Sequence, residues 1–195
     1  MCGIIFTNIK YIKKNIFQKS TMEMVHRGPD NQSYLEINKF KFGHTRLSIQ
    51  DLDTRSNQPM RINDYIIIFN GEIYNFNRLV KDHNLRVKTT SDTEVLLLMY
   101  IKYGSKCLKY FNGMFAFIIF NTKNEEFFVA RDRLGIKPLY FYRNKNNFIF
   151  CSEIKPIKNL IKTSIDNFSI RQYKKFRMFL DNNTIYNEIK FFPQG

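Results

Sequence analysis

The stretch from Ser91 to Tyr103 limits the fold more than any other part of the chain. Ser91 and Glu94 stand three residues apart, the spacing at which each side chain satisfies the other's backbone N–H at a helix start. The pattern predicts a helix over Thr93–Tyr103. Val95, Leu96, Leu97, Leu98 and Met99 make that helix apolar almost all round, so it belongs deep in the interior. Strand-like runs flank it on both sides: Cys2–Thr7, Ser33–Ile37, Phe40–Leu47 and Tyr65–Phe69 before it, then Met114–Phe120, Glu126–Arg131, Leu139–Tyr142 and Phe148–Ser152. Further helices are expected over Asn15–Val25, Phe76–His83, Lys106–Phe111, Ile154–Ile161 and Ser169–Phe179. Strand runs bracketed by helices predict an α+β protein with layered sheets.

Composition narrows the class. The 195 residues suit one large domain or two small ones, and with 20 Phe, 11 Tyr and no Trp the core must be filled by phenyl and phenol rings. Cys2, Cys107 and Cys151 are far apart and form no Cys-x-x-Cys pair, which argues against a disulfide framework and a zinc site. His26, His44 and His83 are scattered as well, so no metal centre is expected. No run reaches the ~20 apolar residues of a membrane span, and a soluble, cytoplasmic protein is expected. The net charge of +14 invites a nucleic-acid partner. The lysines, however, are spread along the chain, and no nucleic-acid-binding signature accompanies them.

Four places carry candidate chemistry. Removal of Met1 would leave Cys2 with a thiol and a free α-amine on one residue, a nucleophile with its own base, as in hydrolases with an N-terminal nucleophile. An α-amine titrates near ~8, close enough to neutrality to take the thiol proton. Read alone, Cys2-Gly3-Ile4-Ile5-Phe6 favours an ordinary buried strand, and the case for a nucleophile depends on the rest of the chain. Arg46, at a strand end, is a candidate for bidentate carboxylate binding. Asn70-Gly71 between apolar runs predicts a hairpin turn. The same turn would offer two adjacent donors, the Asn70 amide and the Gly71 N–H, as an oxyanion hole requires. Asp92 is spare if Ser91 caps the helix, and so is a candidate acceptor for an ammonium.

Cys2-Gly3-Ile4, His26-Arg27-Gly28-Pro29-Asp30, Gly43-His44-Thr45-Arg46-Leu47-Ser48-Ile49, Asn57-Gln58-Pro59-Met60, Phe69-Asn70-Gly71-Glu72-Ile73-Tyr74-Asn75, Ser91-Asp92-Thr93-Glu94, Gly113-Met114-Phe115-Ala116-Phe117 and the run from Ala130 to Tyr140 occur in this order. Together they resemble the glutaminase domain of glutamine-hydrolysing asparagine synthetase, a class II glutamine amidotransferase domain, over nearly the whole chain. The resemblance implies a four-layer αββα sandwich of the N-terminal-nucleophile hydrolase type, two antiparallel sheets between helical layers. It implies hydrolysis of L-glutamine to glutamate and ammonia through a Cys2 thioester. Asn70 and Gly71 would hold the oxyanion, Arg46 the substrate carboxylate, and Asp92 with the Glu72 region the α-ammonium. Backbone groups near Leu47 and Ile49 would line the pocket.

Two departures accompany the resemblance. Gln50 stands where the family often has an aliphatic residue; if that position acts through its backbone, little changes. The phosphate loop of an ATP-binding synthetase domain is absent from the sequence. Residues 1–190 are therefore expected to form the amidotransferase domain and 191–195 to begin a linker to a synthetase domain not present here. No cofactor is expected in this domain; ATP and Mg would belong to the synthetase domain or to a subunit acting in trans. The alternative is a catalytically silent remnant, or a binding domain that depends on a partner, which retention of Met1 on Cys2 would favour.

Overall fold

The central strands of this chain, such as Gly3–Thr7 and most of Tyr65–Ile73 and Gly113–Asn121, are buried on both faces, so they read as continuous apolar runs rather than as alternating ones. A computed structural model describes all 195 residues. One sheet has six strands in the order β10-β8-β9-β1-β3-β2, built from β1 (Gly3–Thr7), β2 (Asn31–Ile37), β3 (Phe40–Arg46), β8 (Tyr140–Asn144), β9 (Asn147–Cys151) and β10 (Ile189–Phe191). The other has four in the order β4-β5-β6-β7: β4 (Met60–Ile62), β5 (Tyr65–Ile73), β6 (Gly113–Asn121) and β7 (Phe127–Arg131). All pairings are antiparallel.

Alternation along each strand builds the layers. On β1, Ile4 and Phe6 enter the space between the sheets, while Ile5 faces the opposite side with Phe17, Met24 and Ile157. That outer side is covered by α1 (Lys14–Met22) and α4 (Ile154–Lys158). On β5, Ile66 and Ile68 enter the inter-sheet space; Ile67 and Phe69 pack with Leu96, Leu97 and Met99. Those three lie on α3 (Asp92–Tyr103), with α2 (Phe76–Asp82) beside it. The order of layers is thus helix, sheet, sheet, helix. Phenylalanines fill the middle: Phe6 stacks on Phe42 at 4.7 Å between centroids, and Phe40 lies 4.6 Å from Phe120. Each such fully buried ring contributes about 1.5–3 kcal/mol. The last helix, α5 (Asn167–Phe176), buries only Ser169.

Several expectations are corrected. Asn70-Gly71 is not a turn. β5 runs straight through it, with Asn70 opposite Ala116 and Gly71 opposite Phe115, because β6 offers a partner strand over the full length of β5. The reciprocal cap at Ser91 is half formed. The Ser91 hydroxyl accepts from Thr93 N–H (3.2 Å), but the Glu94 carboxylate turns to the preceding loop and accepts from the N–H groups of Lys88 and Thr89. The packed body also continues beyond residue 190. Phe191 pairs with Tyr140, and Phe192 donates its N–H to Leu139 O and packs on the inter-sheet core. Two short strands, β4 and β10, carry no alternation long enough to announce them.

Candidate active site

Local pairing leaves one stretch of backbone open. β4 ends opposite β5 at the Met60–Ile67 pair, so beyond Ile67 that edge of β5 has no strand beside it. Alternate N–H groups of β5 point to this edge. Phe69 donates to the Gln58 side-chain carbonyl (2.6 Å) and Ile73 donates to Asp92 Oδ2 (2.9 Å). Gly71 lies between them. Its partner on β6, Phe115, turns its own N–H and C=O the other way, to Asp132. The Gly71 N–H is therefore aimed at the open edge without a protein acceptor. Only glycine fits there: a Cβ would lie 2.3 Å from Met114 O.

Asn70 adds to the same opening. Its side chain is fully buried, and neither Nδ2 nor Oδ1 has a hydrogen-bond partner. Each buried polar group left unpaired costs about 1–3 kcal/mol, so this amide is kept at the expense of stability. The backbone before it is fixed from two directions. Gln58 holds the Phe69 N–H, and His44 Nε2 lies 3.4 Å from Phe69 O. Complete burial pushes the His44 pKa down to about 3, so His44 is a neutral imidazole.

Cys2 reaches this opening from the other sheet. Arg27 Nε donates to Cys2 O (2.9 Å) while its Nη1 contacts Glu153 (3.1 Å), which pins the backbone just ahead of β1. The Cys2 thiol lies 3.8 Å from Leu47 O. Burial pushes its pKa up, partly offset by the Leu47 contact, the chain's amino terminus and Arg46. Burial also lowers the pKa of the terminal amine, here that of Met1, which favours its neutral, proton-accepting form.

One cavity of about 150 Å³ joins these groups. It is lined by all eight residues singled out from the sequence: Cys2, Arg46, Leu47, Ile49, Asn70, Gly71, Glu72 and Asp92. Its size is below the ~300–1,000 Å³ of pockets for drug-sized ligands, so it suits a small metabolite. Arg46 is buried at the end of β3, and the loop that follows grips its guanidinium. Nη1 donates to Asp53 O (3.0 Å) and Asn57 Oδ1 (2.7 Å), and Nη2 donates to Asp51 O. Three of its five N–H groups are thus engaged, and the rest have no protein acceptor. Asp92, at the first turn of α3, has its pKa raised to about 6, by burial first and then by the charge of Glu72, against the pull of the Ile73 N–H. No group of three or more His, Cys, Asp or Glu side chains stands close enough to hold a metal.

Gln50 is the residue at which the sequence departs from the resemblance. Its side chain, rather than its backbone alone, takes part: Nε2 donates to Glu72 Oε1 (3.0 Å) and Oε1 is buried without a donor. Lys137, Gln58 and Met1 also line the cavity. Burial lowers the Lys137 pKa, with the Arg27 charge adding to the effect. Gln58 and Arg27 were within reach of sequence reading, since both lie inside quoted motifs. Lys137 lay in a segment to which composition gives no unique chemistry.

The sequence profile of the family described as "Glutamine amidotransferase domain" matches residues 1–195. The chain belongs to that family. A Methanocaldococcus jannaschii protein named as a glutamine-hydrolysing asparagine synthetase is 43% identical over 180 residues, covering 80% of this chain and 35% of the relative. Asparagine synthetase (glutamine-hydrolysing) 1 of Bacillus subtilis is 35% identical over 204 residues, covering 97% of this chain and 32% of its own length. The chain thus spans about a third of the length of these relatives. Among solved structures, the glutamine phosphoribosylpyrophosphate amidotransferase of B. subtilis superposes with a TM-score of 0.69 at 19% identity, covering 82% of this chain and 43% of that one. This amidotransferase domain is accordingly an α+β, four-layer αββα sandwich.

Proposed function

We propose that this domain hydrolyses L-glutamine to glutamate and ammonia, with Cys2 as nucleophile. The observation that carries the reading is the pair of unengaged donors, Asn70 Nδ2 and Gly71 N–H, in one small cavity with the Cys2 thiol. In this reading Met1 is removed first, which frees the Cys2 α-amine and clears part of the cavity wall. The neutral amine takes the thiol proton, and the sulfur attacks the side-chain amide carbon of glutamine. The amide oxygen, now negative, accepts from Asn70 and Gly71; such donors are each worth about 10²–10³ in rate. The α-ammonium of Cys2 returns its proton to the amide nitrogen, the C–N bond breaks and ammonia leaves. Water then attacks the thioester, with the α-amine again accepting a proton, and glutamate departs. Arg46 binds the substrate carboxylate with its remaining N–H groups. Asp92 and Glu72 bind the α-ammonium, and the chain at Leu47 and Ile49 walls the entrance.

None of these steps calls for a cofactor. The ammonia would supply ATP-dependent asparagine synthesis from aspartate by a synthetase domain or a subunit in trans, a reading supported by the names of the longer relatives. No helix is long and apolar enough to cross a membrane, and the three cysteines are free thiols, which fits work in the cytoplasm. The test is glutamate release from L-glutamine, after mass spectrometry has established that Met1 is gone. Turnover in the processed protein and none in Cys2→Ala, with the fold intact by circular dichroism, is the expected result. Hydrolysis retained in Cys2→Ala would remove the assigned nucleophile.

A further inference from the structure

The run Asn57-Gln58-Pro59-Met60 has no part in the proposed chemistry, yet it adjoins the backbone that does. It lies where a ladder ends. β4 and β5 pair Ile62 with Tyr65, Arg61 with Ile66 and Met60 with Ile67. Carried on in the same register, that ladder would set Gln58 opposite Phe69 and Ser56 opposite Gly71. Antiparallel residues paired through an edge that carries their N–H groups exchange both N–H···O bonds, so the Ser56 carbonyl would consume the Gly71 N–H. The ladder is not carried on. Ser56 belongs to a single helical turn, Thr54–Ser56, and gives its own N–H to Asp53 O.

Where the strand stops, Gln58 supplies one bond of it. Its Oε1 accepts from the Phe69 N–H (2.6 Å), and its Nε2 donates to Thr93 Oγ1 (3.3 Å) in the first turn of α3. Gln58 and Thr93 are both buried at the wall of the cavity. The carbonyl of Phe69 is met by His44 Nε2 at 3.4 Å, and the Ile73 N–H is met by Asp92. Side chains thus occupy the open edge of β5 on either side of Gly71, and Gly71 alone is left. A continuing strand would cover all three residues. A side chain satisfies one backbone group and goes no further.

Building on the proposed glutaminase reading, we infer that Gln58 is a positioning residue for the oxyanion site: its side chain replaces a strand at Phe69, which fixes the backbone entering Asn70-Gly71 and leaves the Gly71 N–H to the substrate oxygen. Gln58 acts through β5 and not on the reacting atoms. Its second bond ties the same strand to the helix start that carries Asp92. The donors for the reacting amide and the proposed acceptor for the α-ammonium are thereby held in one frame.

The experiment follows two reactions of Cys2 in the Met1-free protein. Hydrolysis of L-glutamine passes through an oxyanion. Alkylation of the thiol by iodoacetamide displaces iodide from a saturated carbon and forms none. Cys107 and Cys151 are buried, and peptide mass analysis isolates the Cys2 adduct. In Gln58→Met, which keeps the side chain's length and removes the acceptor, kcat should fall about 10²-fold, the cost of misplacing a group in the site by about 1 Å. The KM for L-glutamine and the rate of Cys2 alkylation should hold. Thr93→Val releases only the NH2 end of Gln58 and should give the same split with a smaller fall in kcat; it replaces the methionine variant if that one does not fold. An unchanged kcat overturns the inference. So does a fall in kcat matched by the alkylation rate, which would make Gln58 a packing residue of the whole pocket. Either result leaves the glutaminase reading standing. Wild-type protein that is alkylated at Cys2 but hydrolyses no glutamine overturns that reading, and this inference with it, before any variant is made.

Discussion

Two buried aspartates mark two kinds of site on the same four-stranded sheet. Asp132 follows β7 and stands in a turn where both of its carboxylate oxygens are matched. Its Oδ1 accepts from the N–H groups of Leu134 and Ile136, and its Oδ2 from those of Lys137 and Phe115. Arg131 closes the same turn from behind, donating to the carbonyls of Lys137, Gly135 and Phe192, each at 2.7 Å. Burial alone would raise the Asp132 pKa, but the four backbone N–H groups outweigh it and leave the carboxyl below its usual range. Asp92 is buried to a similar degree, yet it takes a single N–H from outside its own helix start, lies near Glu72 and has its pKa raised to about 6. Around it, Asn70 and Gln50 hold side-chain polar atoms with no partner, and the Gly71 N–H is aimed at the open edge of β5. The first aspartate is completed by the fold; the second is left for something the fold does not contain. Burial and residue type do not separate the two. Hydrogen-bond completeness does.

The comparison breaks at its strongest point if Asp132 proves dispensable. Asp132→Ala orphans four buried or half-buried N–H groups and should destabilise the domain by about 4 kcal/mol or more. Urea denaturation measures this, and a loss under ~1 kcal/mol would deny the turn its structural role. The opposite profile is expected of Asn70→Leu, a near-isosteric change that removes two unpaired polar atoms. Stability should hold or rise by up to about 1 kcal/mol, while kcat for glutamine falls about 10²–10³-fold. A stability loss with kcat unchanged would make Asn70 a structural residue.

Asp92 sharpens the contrast through pH. In the folded chain it holds its proton up to about pH 6, against the ordinary value of 3.8. Stability from this group is therefore fullest in acid, declines as pH rises through that interval and is lost above about 6, a total of roughly 3 kcal/mol. Asp92→Asn keeps an oxygen for the Ile73 N–H and removes the charge. The variant should be more stable than the parent by up to that amount at pH 7.5, the gain vanishing near pH 4, and should bind glutamine poorly. Melting curves across pH, with calorimetric titration of glutamine, would show it. A variant less stable than the parent at pH 7.5 would mean that the carboxylate is already compensated within the protein.

Much of the fold was legible because its strands and α3 carry their burial in plain composition. Runs such as Ile66-Ile67-Ile68-Phe69 and Phe115 to Phe120 have no alternation to misread, and the polar turns between them are rich in Asn, Asp and Gly. Asn70-Gly71 misled for a physical reason. Its local preference for a turn is worth less than nine residues of pairing between β5 and β6, so the ladder overrides it. The identities of Cys2, Arg46, Asn70, Gly71 and Asp92 were legible as chemistry, whereas their convergence in one cavity was implied by the resemblance alone and not by the residues themselves. It depends on β1 and β3 in one sheet meeting the end of β5 in the other. Gln50 stood out in the sequence as a departure, but a lone glutamine in a loop carries no pattern, so its side-chain contact with Glu72 was not legible.

The straight passage of β5 through Asn70-Gly71 also bears on how this protein ages. An asparagine followed by glycine is the pair most prone to lose its side-chain amide, because the next backbone nitrogen can curl back onto the side-chain carbonyl and close a ring. In the folded chain an extended strand, locked to β6, holds that nitrogen away. The protection lasts only while β5 is paired. Time spent unfolded would therefore be written into residue 70 as a mixture of aspartate and isoaspartate, detectable by peptide mass analysis after incubation in denaturant and absent after the same time in buffer. A chain so marked carries, in place of one donor of its pocket, a negative charge at a position the fold buries completely.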